Sequence, residues 1–314
     1  MSIPIRPSRR RFLQVLGAAG GALALGPFER LARATPEPEM AIARWGPDPL
    51  PADRIPAAAR TLTARALSAL GGMERFVSKG DVIWVKPNIG WNRAPELAAC
   101  TNPQVVATLT RLCYEAGAKT VKVGDHTCHE ARQCYPNSGI EAAAKEAGAE
   151  IVYLDPNRFR DVDLGGERLK SWPLYPEILE TDLVINVPIA KHHGLARATL
   201  AMKNYMGVIG GRRGAWHQDL ARCLVDVTRY MKPRLTVLDA VRVLTDNGPQ
   251  GGDPDDVKTL GVVAAGTDVV AIDAFGAELL GHDPRRFDSI RLGEEAGLGR
   301  GDYRSLPLEE MTVS

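Results

Sequence analysis

At 314 residues the chain is long enough for one large domain or two small ones. Its 45% hydrophobic and 25% charged residues match an ordinary globular protein rather than a disordered or fibrous one. A formal net charge of +1, part of it from a basic N-terminus, comes with no basic stripe or lysine-rich tail. Nucleic acid is therefore not an expected partner.

The first element is a leader. Ser8-Arg9-Arg10-Arg11-Phe12-Leu13 is a twin-arginine pattern, VLGAAGGALALG follows as an uncharged, mildly apolar run, and Ala32-Arg33-Ala34 supplies a small-x-small cleavage site. In that order they read as a Tat export signal over residues 1–34, removed on maturation. The run is too short and glycine-rich to make a stable membrane span. The reading implies the Tat translocase as a partner during export and a periplasmic location. It also implies a protein that folds before export, often around a cofactor. Residues 35–53 are proline-rich and read as a surface arm.

The remainder, 54–314, alternates strand and helix as a single domain. IPAAARTLTARALSAL (55–70) has helical periodicity. DVIWVKPN (81–88) is a continuous apolar run, as in a strand buried on both faces. Asn102-Pro103 opens the helix VVATLTRLCYEAGA, with proline in its first turn and glycine near its stop. TVKVGDHT (120–127) reads as a strand, SGIEAAAKEAGA (138–149) as a helix and EIVYLD (150–155) as a strand. Between 156 and 182 the rhythm breaks at DVDLGGERLKSWPL, a polar hairpin turning at Gly165-Gly166. It resumes with the strand DLVINVPIA (182–190), the helix WHQDLARCLVDVTRYM (216–231) and the strand RLTVLDAVRVL (234–244). TLGVVAAGT (259–267) is a further strand, and the helices DVVAIDAFGAELLG and FDSIRLGEEAGLG close the core. The expected fold is α/β, a mostly parallel central sheet with helices on both faces and a small hairpin insertion.

Five cysteines leave at least one without an intrachain partner. Cys113 and Cys223 sit in amphipathic helical patterns as small buried hydrophobes. Cys100, Cys128 and Cys134 fall in loops, where a Cys128–Cys134 disulfide or free thiols are favoured over metal ligation, because no C-x2-C pair is present.

In open parallel sheets ligands bind at the carboxyl ends of strands. Here successive strand ends carry Lys86 and Asn88, then Asp125, His126 and His129, then Lys191, His192 and His193, then Asp239. The stretch from Asn186 to His217 adds Lys203, Asn204, Gly210, Gly211, Arg212, Arg213 and His217. Each has a plainer explanation: Asp125 could cap a loop, and Asp239 and Asp273 could hold backbone amides. Their convergence on one edge is what argues for a site.

The order KPNI (86–89), TNPQVV (101–106), EAGAKTVKVGD (115–125), TDLVINVPIAKHH (181–193), TLAMKNYMG (199–207), His217, LTVLDAV (235–241) and NGPQGG (247–252) resembles the domain-of-unknown-function 362 (DUF362) family, in a version with a Tat leader. The resemblance implies an α/β fold with a shared polar site, and no assigned reaction. Some relatives append ferredoxin-like cysteine clusters, which implies redox or iron–sulfur contexts; this chain lacks such a cluster.

Three uses of the constellation remain open. His192, His193 and His217, with Asp125, Asp239, His126 or His129 as further ligands, could hold zinc, iron or manganese as a Lewis-acid or redox centre, and Cys128 is a further candidate ligand for a metal or an iron–sulfur cluster. Lys86, Lys191, Lys203 and the Arg212-Arg213 pair, with Asn88, Asn204 and the amides at Gly210 and Gly211, could hold a small anionic ligand. A desolvated lysine among other cations then suits a general base or a Schiff base. The third use is non-catalytic: a periplasmic protein that holds a metal or cofactor for a partner. Catalysis would fall to Lys86, Lys191, Lys203 and His217.

Overall fold

The computed structural model describes residues 37–46 and 49–314, so the leader pattern at 1–34 lies outside them. Each strand is a short run rich in β-branched and apolar residues, stopped by Gly, Pro, Asn or Asp. Met40–Trp45 forms β1, Val82–Pro87 β2, Thr120–Val123 β3 and Glu150–Ile151 β4. The hairpin strands are β5, Arg160–Asp163, and β6, Ser171–Leu174. Then come β7, Leu183–Val187; β8, Ile189–His193; β9, Arg197–Thr199; β10, Leu235–Leu244; β11, Val257–Gly266; and β12, Leu308–Val313. The main sheet runs β12-β1-β11-β10-β7-β2-β3-β4, with β8 and β9 branching beside β10. From β10 to β4 every pairing is parallel. Across β10, β11 and β1 it is antiparallel.

Helices cover both faces. In β2 the alternation of side chains sends Ile83 and Val85 into one core and Trp84 into the other. The first core is closed by α1 (Ile55–Ala69), α2 (Pro103–Glu115) and α4 (Ile140–Glu146). The second is closed by α5 (Leu220–Met231), α6 (Val269–Leu279) and α7 (Asp288–Glu295). The short helix α3 (Ala131–Asn137) precedes α4. Each fully buried large apolar side chain in these layers stabilises the fold by roughly 1.5–3 kcal/mol. No helix among the described residues is long and apolar enough to cross a membrane.

Local signals place the elements well. Asn102 caps α2, its side chain accepting from Gln104 N at 2.9 Å, and Pro103 takes the first turn, where its missing N–H costs nothing. The hairpin forms as expected and docks on α5. There Asp226 accepts from the amides of Glu167, Arg168 and Leu169 at 3.0, 2.7 and 2.8 Å.

Three expectations are corrected. Met40–Trp45, read as part of a proline-rich arm, is a strand with a buried centre, held between β11 and β12. Its partners lie more than two hundred residues away, which no local pattern reveals. The run 182–190 is two strands, because Pro188 has no N–H for the ladder and breaks β7 from β8. The core is not closed by the helix of FDSIRLGEEAGLG alone, because β12 follows it and pairs with β1.

Candidate functional site

β2 and β3 pair in parallel, so Lys86 near the end of β2 and Asp125 just past β3 arrive at one edge. Lys86 Nζ lies 2.6 Å from Asp125 Oδ1, with the two side chains 0% and 3% exposed. The ammonium also donates to Pro87 O at 2.7 Å, and Asp125 Oδ2 accepts from Ile89 N at 2.7 Å. Burial lowers the Lys86 amine from its ordinary range and Asp125 opposes that shift. Gly207 covers the pair. A Cβ there would stand 1.7 Å from Asp125 Oδ1 and 2.6 Å from Lys86 Nζ.

Amides tie the neighbouring strands to this pair. Asn88 Nδ2 donates to Asn204 Oδ1 at 3.1 Å, while Asn204 Nδ2 donates to Asn186 Oδ1 at 2.9 Å and to Lys86 O at 3.2 Å. Asn186 Nδ2 in turn donates to Ala201 O at 2.9 Å. Lys191, from β8, donates to Asn88 Oδ1 at 3.1 Å and to Ala99 O at 2.5 Å. Its burial pushes the amine down to about 8.

Lys203 is differently placed. It rides on the short helix Ala201–Asn204, whose first amides are held by Asp273: Ala201 N donates to Oδ1 at 2.5 Å and Met202 N to Oδ2 at 3.3 Å. Half-buried itself, Lys203 has a side-chain amine that makes no hydrogen bond or ion pair among the described residues. Burial and then the charge of Lys191 push its amine down to about 7.

Two imidazoles stand beside it. The rings of His193 and His217 stack with centroids 5.5 Å apart. His193 Nδ1 accepts from Leu195 N and Ala196 N, each at 3.2 Å. His217 Nδ1 lies 3.1 Å from Gly214 O, and its Nε2 is buried with no partner. Burial, then Lys203, holds His193 down at about 3. Burial also lowers His217, with Lys203 adding to the effect and the Gly214 carbonyl opposing it. Arg213 closes the rim, donating to His126 O at 2.6 Å, Met206 O at 3.2 Å, Thr127 O and Cys128 Sγ at 3.4 Å.

Lys191, Lys203 and Arg213 therefore share one edge with neutral imidazoles, and the nearby carboxylate, Asp125, is already engaged by Lys86. Such a surface attracts negative charge and can move protons near neutral pH. Two surface clefts elsewhere, one beside Thr61, Arg65 and Met311 and one beside Arg60, Gln104 and Glu146, gather no comparable set.

Residues 83–278 match the family described as a domain of unknown function, DUF362. The chain belongs to the DUF362 family. A thylakoid-associated protein of Synechocystis sp. is 31% identical over 240 residues, covering 74% of this chain and 73% of that protein. The lactate racemase apoprotein of Thermoanaerobacterium thermosaccharolyticum aligns with a TM-score of 0.42 and 9% identity over 77% of this chain. The match covers 57% of that solved structure's length.

Within this DUF362 chain, several residues expected at the site serve the framework instead. Asp239 gives both carboxylate oxygens to backbone, accepting from Asn102 N at 2.7 Å and Val241 N at 3.0 Å, and burial pushes it up to about 6. Gly210 docks the hairpin rather than an anion: its N–H donates to Pro173 O at 2.8 Å and its carbonyl accepts from Trp172 Nε1 at 3.1 Å. Arg212 is exposed, and its neighbour Arg213 is the arginine that reaches inward. His192 accepts from Gly248 N at 3.0 Å, apart from the partners of His193, as alternation along β8 requires.

The proposed metal ligands thus do not gather into one set, although His193 and His217 stack on each other. Among the described residues no three His, Cys, Asp or Glu side chains converge as a metal site would need. All five cysteines are free, with Cys128 exposed and Cys134 buried, so the Cys128–Cys134 disulfide is not formed. Sequence reasoning missed Gly207 and the bridging role of Asn186. A lone glycine after KNYM carries no local sign of what lies above it, although its place inside the TLAMKNYMG block marks the neighbourhood.

Proposed function

We propose that this DUF362 protein binds a small anionic molecule at the carboxyl edge of its sheet and that Lys203 acts on it as general base or amine nucleophile. One observation carries the reading: the Lys203 amine is half-buried among cations, has no hydrogen-bond or ion-pair partner among the described residues, and is pushed down to about 7. An amine in that state costs stability unless a ligand uses it. Lys191 and Arg213 supply charge for an anion, and Asn88 and Asn204 hold Lys191 and the strand ends in place. The lack of any third His, Cys, Asp or Glu gathered with the His193–His217 pair among the described residues favours this lysine chemistry over a metal-assisted one.

Calorimetric titration with phosphate, sulfate, acetate and glycolate tests the reading. At least one of them binds the wild type, and Lys203→Met weakens that binding tenfold or more, about 1.4 kcal/mol, while the unfolding midpoint stays or rises. Unchanged affinity in that variant would sink the role given to Lys203. We also propose that residues 1–34 direct Tat export to the periplasm. Replacing Arg9, Arg10 and Arg11 with lysine should then retain a fused reporter in the cytoplasm.

A further inference from the structure

His193 and His217 reach one another from unrelated pieces of backbone, the end of β8 and the turn Arg213–Gln218. A neutral imidazole has one N–H and one bare nitrogen, and a backbone partner on one nitrogen fixes the other. His193 Nδ1 accepts two backbone N–H groups, so it bears no hydrogen and Nε2 carries the proton. A carbonyl can only accept, so His217 Nδ1 donates to Gly214 O and Nε2 is left as a bare acceptor. That acceptor is buried and unpartnered. Burial and the neighbouring Lys203 charge keep both rings neutral. The two stacked rings, 5.5 Å apart, therefore carry a set donor and a set acceptor.

Resting on the anion-binding reading, we propose that this histidine pair selects an anion that carries its own O–H, such as hydrogen phosphate or a hydroxylated carboxylate. The ligand oxygen accepts from His193 Nε2–H, and the ligand hydroxyl donates to His217 Nε2. An anion without a proton sets its lone pairs against the lone pair of His217 Nε2, and the buried acceptor stays unpaired. Size and charge alone would not make this distinction.

Matched probes test it by calorimetry on the full chain: phosphate against sulfate, and glycolate against acetate. The hydroxyl-bearing member of each pair should bind about ten- to a hundredfold tighter. His217→Phe should abolish the preference, bringing phosphate and sulfate to a common affinity. Should that variant fail to fold, imidazole nitrogen NMR of the wild type decides the same point. It should show the hydrogen on Nε2 of His193 and on Nδ1 of His217, and the opposite tautomers would overturn the proposal. Equal affinity for phosphate and sulfate overturns it too, while leaving the anion site standing. Binding of none of the four probes removes both.

Discussion

Asp239 and Asp273 lie as deep in the molecule as Lys191, and burial moves all three toward neutrality, the carboxylates up to about 6 and about 7 and the lysine down to about 8. Their surroundings differ. Each carboxylate faces two backbone amides and fastens one piece of chain to another: Asp239 holds the start of α2, Asp273 the short helix Ala201–Asn204. Lys191 is spent on a carbonyl and an asparagine oxygen, and the nearby Lys203 has neither. Burial and a displaced pKa are thus common to framework and site, and the partners tell them apart. A group that satisfies backbone donors stabilises the fold, whereas an amine without an acceptor opposes it.

The sharpest way to break that comparison is at Lys86, which belongs to both sides: it is paired with Asp125 yet feels the charge of Arg213 at the rim of the site. Lys86→Met strands Asp125 in the interior and should cost about 3–5 kcal/mol in denaturant unfolding. The double variant with Asp125→Leu should recover most of that loss. A single-variant cost near zero would mean the pair is not framework at all.

Glycine offers a gentler contrast. Gly207→Ala drives a methyl into Asp125 and Lys86 and should cost about 1–3 kcal/mol, with loss of anion binding. Gly214→Ala, where the added carbon meets nothing within 4 Å, should stay within about 0.5 kcal/mol in the same unfolding experiment. Equal costs at the two positions would show that Gly207 is not pressed onto the pair.

The smallest effect separates the two classes of buried group by pH. Asp239 and Asp273 are raised from 3.8 to about 6 and about 7, so across that window the folded chain keeps protons that the unfolded chain has released. Their contribution to stability therefore falls as pH rises from about 4 to about 7. Lys203 and Lys191 are lowered from 10.5 to about 7 and about 8, so above neutrality the unfolded chain holds the extra protons. Their contribution rises with pH from about 7 toward 10.5. Unfolding midpoints followed across pH should show Asp239→Asn and Asp273→Asn flattening the acid limb, and Lys203→Met the alkaline limb. A slope of opposite sign on either limb would contradict the assignment.

Much of this was legible in the residues themselves. The period of two in Ile83-Trp84-Val85, the Asn102-Pro103 cap and the Gly165-Gly166 turn are local, and local rules placed β2, α2 and the hairpin. Parallel strands deliver their carboxyl ends to one edge, so Lys86, Asn88, Asp125 and Lys191 were expected together and are found together. The family follows from the same ordered blocks. Which aspartate meets a lysine and which meets backbone, why Arg213 and not Arg212 turns inward, and why Gly207 cannot carry a side chain were settled only in three dimensions. The same is true of Met40–Trp45, whose neighbours arrive from the far end of the chain. Propensity and periodicity act over a few residues, whereas the partner of a buried charge is chosen by whichever distant segment packs against it.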